Sequence, residues 1–171
     1  VMHGPPGTGK TSTSVMTIKL PYKLLKSMKE ANKDVDTIFD RAPKNENWEV
    51  EQNQKIVVVS QSNSAADNMC LSLAAQNPEW KIVKTGNDKP GNKQVAENHW
   101  LGKLARDRLN GEYGVQAHTQ EQFNKAKRDI LISADIICST AASSGLADLK
   151  DIDLIAIVGE EAAQISKAML L

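Results

Sequence analysis

The sequence is short of cysteine, of aromatic residues and of long apolar runs, and each shortage removes a class of protein. Two cysteines in 171 residues, Cys70 and Cys138, cannot build a disulfide framework, and their separation fits neither a metal site nor a redox pair. Both are expected as reduced core residues. The longest apolar run, Leu154 to Val158, falls far below the ~20 residues of a membrane span, so no membrane partner is expected. Charge of one sign is also missing: 21 basic residues balance 21 acidic ones, so composition neither predicts nor excludes a polyanionic partner. The first residues lack the basic stretch and apolar core of a secretory leader, which predicts an intracellular protein, cytoplasmic or nuclear. What remains, 40% apolar and 25% charged residues, is the balance of a soluble globular chain with one proper core. Val1 and Met2 look like the stub of an apolar strand running into Gly4, so the chain is expected to be cut at its beginning.

Glycine is placed where it carries chemistry. Gly4-Pro5-Pro6-Gly7-Thr8-Gly9-Lys10-Thr11 matches the phosphate-loop pattern G-x-x-x-x-G-K-[ST] at every fixed position. Polyphosphate needs backbone N–H groups converging on its oxygens, and Gly4, Gly7 and Gly9 permit that close approach. The loop should open a helix whose N-terminal partial charge faces the phosphates, and Lys10 through Leu20, with Val15, Met16 and Ile18 among polar residues, supplies one. Lys10 would reach the β and γ phosphates of ATP, and the Thr11 hydroxyl would ligate Mg²⁺.

Beyond this loop the chain alternates strand and helix signals. Pro21 should end or kink the first helix near Leu20, with Tyr22 to Lys29 as a second amphipathic piece. Residues 30–55 are polar and read as a surface insertion. Lys55 to Ser60 is β-branched without alternation, as expected of a strand covered on both faces. Ser60-Gln61-Ser62-Asn63-Ser64 then offers turn and N-cap chemistry before a helix from about Ala65 to Gln76. Trp80 to Thr85 is a shorter strand candidate. Residues 86–128 read as a mostly helical insert, with Trp100, Leu101, Leu104 and Leu109 as its apolar stripe. Ala134 to Thr140 and Ile152 to Gly159 are two further strands. Such alternation predicts an α/β fold with a parallel sheet flanked by helices, and ligands gathering at the carboxyl ends of its strands.

The last strand runs into Glu160-Glu161-Ala162-Ala163-Gln164, an acidic pair suited to holding Mg²⁺ with one carboxylate and activating water with the other. Taken together, GPPGTGKT, VVVSQSNSAADN, ADIICSTAASSG and IVGEEAAQ resemble motifs I, Ia, the strand end before motif II, and motif II of superfamily 1 helicases of the Upf1-like group. The resemblance implies a P-loop NTPase with a RecA-like fold, moving along single-stranded RNA or DNA at the expense of ATP. Carried over by position, it implies that Gly4, Pro5, Pro6, Gly7, Thr8, Gly9, Lys10 and Thr11 bind ATP, and that Thr11 and Glu160 associate with magnesium. Glu161 would act on the attacking water and Gln164 would sense the γ-phosphate. Ser62, Asn63, Asp67, Ser139 and Thr140 would lie along the nucleic-acid backbone, where short polar side chains grip phosphate and sugar without reading bases.

Two departures follow from the same comparison. Glu160 stands where the family carries aspartate, one methylene longer. It reaches magnesium if the backbone recedes at Gly159; the alternative is weakened metal binding. The chain also stops at Leu171, so it is expected to be a partial first RecA-like domain whose second domain, with its arginine fingers, lies elsewhere. Two other functions stay open on the sequence: an AAA+ ATPase, which often shares GPPGTGKT but places its acidic pair closer to the loop, and a nucleotide-responsive RNA-binding module without hydrolysis.

Overall fold

The computed structural model describes residues 13, 15–24, 26–27, 55–86, 89–114, 118–144, 149 and 152–159. Four strands, β1 (Lys55–Ser60), β2 (Ile82–Lys84), β3 (Ile136–Thr140) and β4 (Leu154–Gly159), form one sheet in the order β2-β3-β1-β4. Every pairing is parallel. Among the described residues five helices lie between the strands: α1 (Asn63–Gln76), α2 (Lys93–Asn98), α3 (Leu101–Tyr113), α4 (Gln120–Ser133) and the short α5 (Ala141–Ser144). The architecture is the α/β fold the sequence predicts.

The unbroken β-branched runs have a plain cause, since side chains alternate across a strand and here both faces are covered. Ile56 and Val58 join Ile82, Ile136 and Cys138 on one face, under Met69, Cys70 and Leu73 of α1 and Val15 and Ile18 of the helical residues 15–24. Val57, Val59, Val83 and Ile137 point the other way and pack against Leu101 of α3 and Leu131 of α4. Both cysteines are buried and free, as expected.

Several boundaries move. Residues 15–24 are helical without interruption, so the helix does not end at Leu20. Pro21 removes one N–H, while burial of Val15 and Ile18 holds the segment on the sheet. Helix α1 starts at Asn63, two residues before the expected start, because Ser62 is its N-cap. Ala134 caps α4 instead of opening β3, whereas Lys55 opens β1 as expected and is fully buried. Strand β4 lies at the edge of the described sheet, with Leu154 41% and Ile157 58% exposed.

The stretch 86–128 carries α2, α3 and the first part of α4, which continues to Ser133. From the expected stripe, Leu101 is buried against the sheet, and Leu109 packs with Ala105 and Ala126 between α3 and α4. Trp100 is half-exposed; its indole N–H donates to the Gly86 carbonyl at 3.3 Å. The outer edge of β2 is closed by the same turn. Lys84 N–H donates to the His99 carbonyl at 2.7 Å, and His99 Nδ1 donates to the Ile82 carbonyl at 3.1 Å, leaving no open ladder for another chain.

Candidate functional site

Parallel pairing brings the carboxyl ends of the strands to one edge. Ser60 stands in register with Thr140, Val59 with both Ser139 and Gly159, and Lys84 with Cys138. The polar segments that follow β1, β2 and β3 therefore gather beside the point where β4 ends at Gly159, immediately before Glu160. Gly4, Pro5, Pro6, Gly7, Thr8, Gly9, Lys10, Thr11, Glu160, Glu161 and Gln164 themselves lie outside the described residues.

The five residues expected at the nucleic acid are all placed, in different settings. Ser62 is exposed with extended backbone, and its Oγ accepts from Ala65 N–H at 3.1 Å, the geometry of an N-cap. Asn63, the first residue of α1, is also exposed. Asp67 is buried, 3% exposed, one turn further in. Its Oδ2 accepts the backbone N–H of Asn92 at 3.1 Å, which ties the start of α2 to α1. Ser139 is fully buried, and its hydroxyl donates to the Thr140 carbonyl at 3.2 Å. Thr140 is 6% exposed. Its Oγ1 donates to Ser143 Oγ at 2.9 Å and accepts from Ser143 N–H at 3.3 Å, so it caps α5. Of these five residues, Ser62 and Asn63 are the exposed ones.

Sequence patterning alone misses Lys84. It closes a short apolar strand and looks like a solvent boundary, yet it is fully buried. Its Nζ lies 3.5 Å from Asp67 Oδ1 and donates to Asn63 Oδ1 at 3.3 Å. The signal available beforehand was its parity with Ile82, which turns both side chains to the α1 face. Gly86 belongs to the same edge. Its φ of +132° is a conformation open to glycine and strained for other residues.

A second polar surface lies between α2 and α3, a groove of about 850 Å³ lined by Lys89, Lys93, Trp100, Lys103 and Arg106 among others. The Arg106 guanidinium sits 5.1 Å from the Trp100 ring centroid. Glu97 and Asp107 offset part of its charge through i,i+4 pairs with Lys93 and Lys103.

A family model described as an AAA domain, AAA_11, matches residues 1–121. The chain belongs to that family. AAA_11 is the domain found in Upf1-like superfamily 1 helicases, so the chain is a P-loop, helicase-like ATPase domain by family. The match includes the phosphate loop and the Ser62–Asp67 segment; β3, β4 and the acidic pair lie beyond it. No curated protein matches the chain. Among the described residues no helix is long and apolar enough to cross a membrane, and no cluster of metal-ligating side chains occurs.

Proposed function

We propose that the chain is part of the first RecA-like domain of an ATP-driven motor that moves along single-stranded RNA or DNA and works with a second such domain. The observation that carries this is the pairing of two features in one AAA_11 match: a complete phosphate-loop sequence, and a β1 end whose polar residues sit at the carboxyl edge of a parallel sheet. The donor chemistry of the loop fits magnesium-bound polyphosphate, with glycine N–H groups, one ammonium and one hydroxyl in the spacing such a substrate requires.

Within that reading Lys10 neutralises the β and γ phosphates and Thr11 and Glu160 associate with magnesium. Glu161 accepts the proton of the attacking water, and Gln164 touches the γ-phosphate. Ser62 and Asn63 meet the sugar-phosphate backbone, while Asp67, Ser139 and Thr140 shape the ground beneath it.

Phosphate release by the complete protein, with and without poly(U) and oligo(dT), tests this. Polymer-stimulated turnover is expected. Lys10→Ala should weaken nucleotide binding by a few kcal/mol, the scale of charge-assisted bonds to phosphate. Glu161→Gln should keep ATP bound and unhydrolysed, because an amide positions water but cannot take its proton. Glu160→Gln should impair magnesium-dependent binding and turnover, and Glu160→Asp should hold or raise activity. Turnover indifferent to Lys10→Ala would remove the phosphate-loop assignment. Residues 1–171 alone should bind nucleotide without useful hydrolysis, because an arginine finger supplies roughly 10³ to 10⁵ in rate and belongs to the other domain. Glu160 in the family's aspartate position favours one second reading, a nucleotide-responsive RNA-binding module. RNA affinity that changes with ATP while no phosphate is released would select it.

A further inference from the structure

Lys84 takes no part in the chemistry above, yet it is buried to 0% exposure beside an exposed candidate contact. A buried ammonium persists only where its partners repay its lost hydration. Here the partners are Asp67 Oδ1 at 3.5 Å and Asn63 Oδ1 at 3.3 Å. The second is informative, because an ammonium can only donate. The oxygen of the Asn63 amide must therefore face Lys84, and its NH₂ must lie on the other side.

We propose that Lys84 is a positioning residue for the strand-binding face: it grips Asn63 by its carbonyl oxygen so that the side-chain NH₂ is offered to a phosphate or sugar oxygen of a single strand, and it neutralises Asp67 beneath. This role rests on Asn63 meeting a strand, as proposed above. Asn63 opens the 14-residue helix α1, whose first-turn N–H groups also favour an anion. Asp67 works against that attraction. Its carboxylate lies one turn below Asn63, and Oδ1 has no hydrogen-bond partner among the described residues. Left alone it would repel a phosphate at close range. Lys84 cancels that charge and orients the donor with the same ammonium.

The test uses fluorescein-labelled U₁₂ and dT₁₂ titrated into the complete protein. Asn63→Ala should weaken binding about tenfold, the scale of a lost bond to a charged group. Lys84→Met should weaken it at least as much, and Lys84→Arg should recover most of the affinity, since a guanidinium also donates to the Asn63 oxygen and keeps a positive charge beside Asp67. The double substitution Lys84→Met with Asp67→Asn removes both buried charges, which keeps the fold while the grip on Asn63 is lost. It should still bind about tenfold more weakly. Adding Asn63→Ala to it should cost nothing further, because the two side chains act through one another. Unchanged affinity of Asn63→Ala overturns the nucleic-acid reading of this face and the role of Lys84 with it. A weakened Asn63→Ala protein beside unchanged affinity in the Lys84→Met/Asp67→Asn protein, or full additivity, overturns the positioning role alone.

Discussion

The sheet buries a lysine at each end, and the two are answered differently. At the amino end, Lys55 opens β1 and its Nζ donates to the Ile132 carbonyl at 2.5 Å, in the last turn of α4. A cation there meets the negative end of the helix and satisfies a carbonyl that has no partner within it. Neighbouring polar groups at that end also close on backbone: Asp135 Oδ2 accepts Lys81 N–H at 3.1 Å. At the carboxyl end, Lys84 is answered by two side chains, Asp67 and Asn63, and Asn63 is exposed with two N–H donors left over. An end that closes on side chains keeps donors for something else.

The sharpest way to break this contrast is to remove Lys84 alone. Lys84→Met strands the buried Asp67 carboxylate, and breaking such a pair from one side costs about 3–5 kcal/mol. Urea unfolding should show that loss, and Asp67→Asn in the same chain should return much of it. If the single and double variants unfold alike, the charges of the pair are not coupled.

Lys55→Met should cost less, about 1–3 kcal/mol, the scale of leaving the part-buried Ile132 carbonyl without its donor. Affinity for U₁₂ and dT₁₂ should stay at the wild-type level. A drop in that affinity would mean that the amino end communicates with the carboxyl end, and the two lysines would no longer be opposites.

What the sequence made legible follows the same division. The strands were readable because Ile56 to Val59 and Ile136 to Cys138 are covered on both faces, and burial on both sides writes an unbroken apolar run. The place of β4 at the edge of the described sheet was not, since Leu154 to Val158 is just as apolar although Ile157 is 58% exposed. At the candidate site, Ser62 and Asn63 were visible as cap chemistry. The hydroxyls of Ser139 and Thr140 read the same way in sequence, yet in the fold they bond to Thr140 and Ser143 within their own turn. Lys84 stayed hidden because its partners lie 17 and 21 residues upstream in the chain, and only the return of β2 beneath α1 joins them. Local pattern reports burial and caps; a charge pair between elements needs the topology.

Ser62→Ala is a smaller probe of the carboxyl end. Losing the Oγ bond to Ala65 N–H should cost about 1 kcal/mol of stability, seen as a lower urea midpoint. Ser62→Gly should cost only a few tenths of that unit. Equal stability in all three proteins would show that the cap carries no weight and that Ser62 is free for another duty.

The last expected effect lies at the amino end and depends on pH. Tyr22 stacks at 4.3 Å on Trp80, and burial, with the negative charges of Asp135 and Glu79 adding to it, pushes its phenol up from 10.0 to about 12. The folded protein therefore holds this proton more tightly than the unfolded chain. Its contribution to stability is complete below pH 10 and is lost as the pH rises from about 10 through 12, because unfolding then releases a proton. Absorbance near 295 nm should show one of the two tyrosines ionising close to pH 12. Between pH 10 and 12 the urea midpoint of the wild type should fall more steeply than that of Tyr22→Phe, a comparison that cancels the titration of every other group. Parallel slopes would place the Tyr22 hydroxyl in water, and the amino end would then be less closed than its backbone bonds imply.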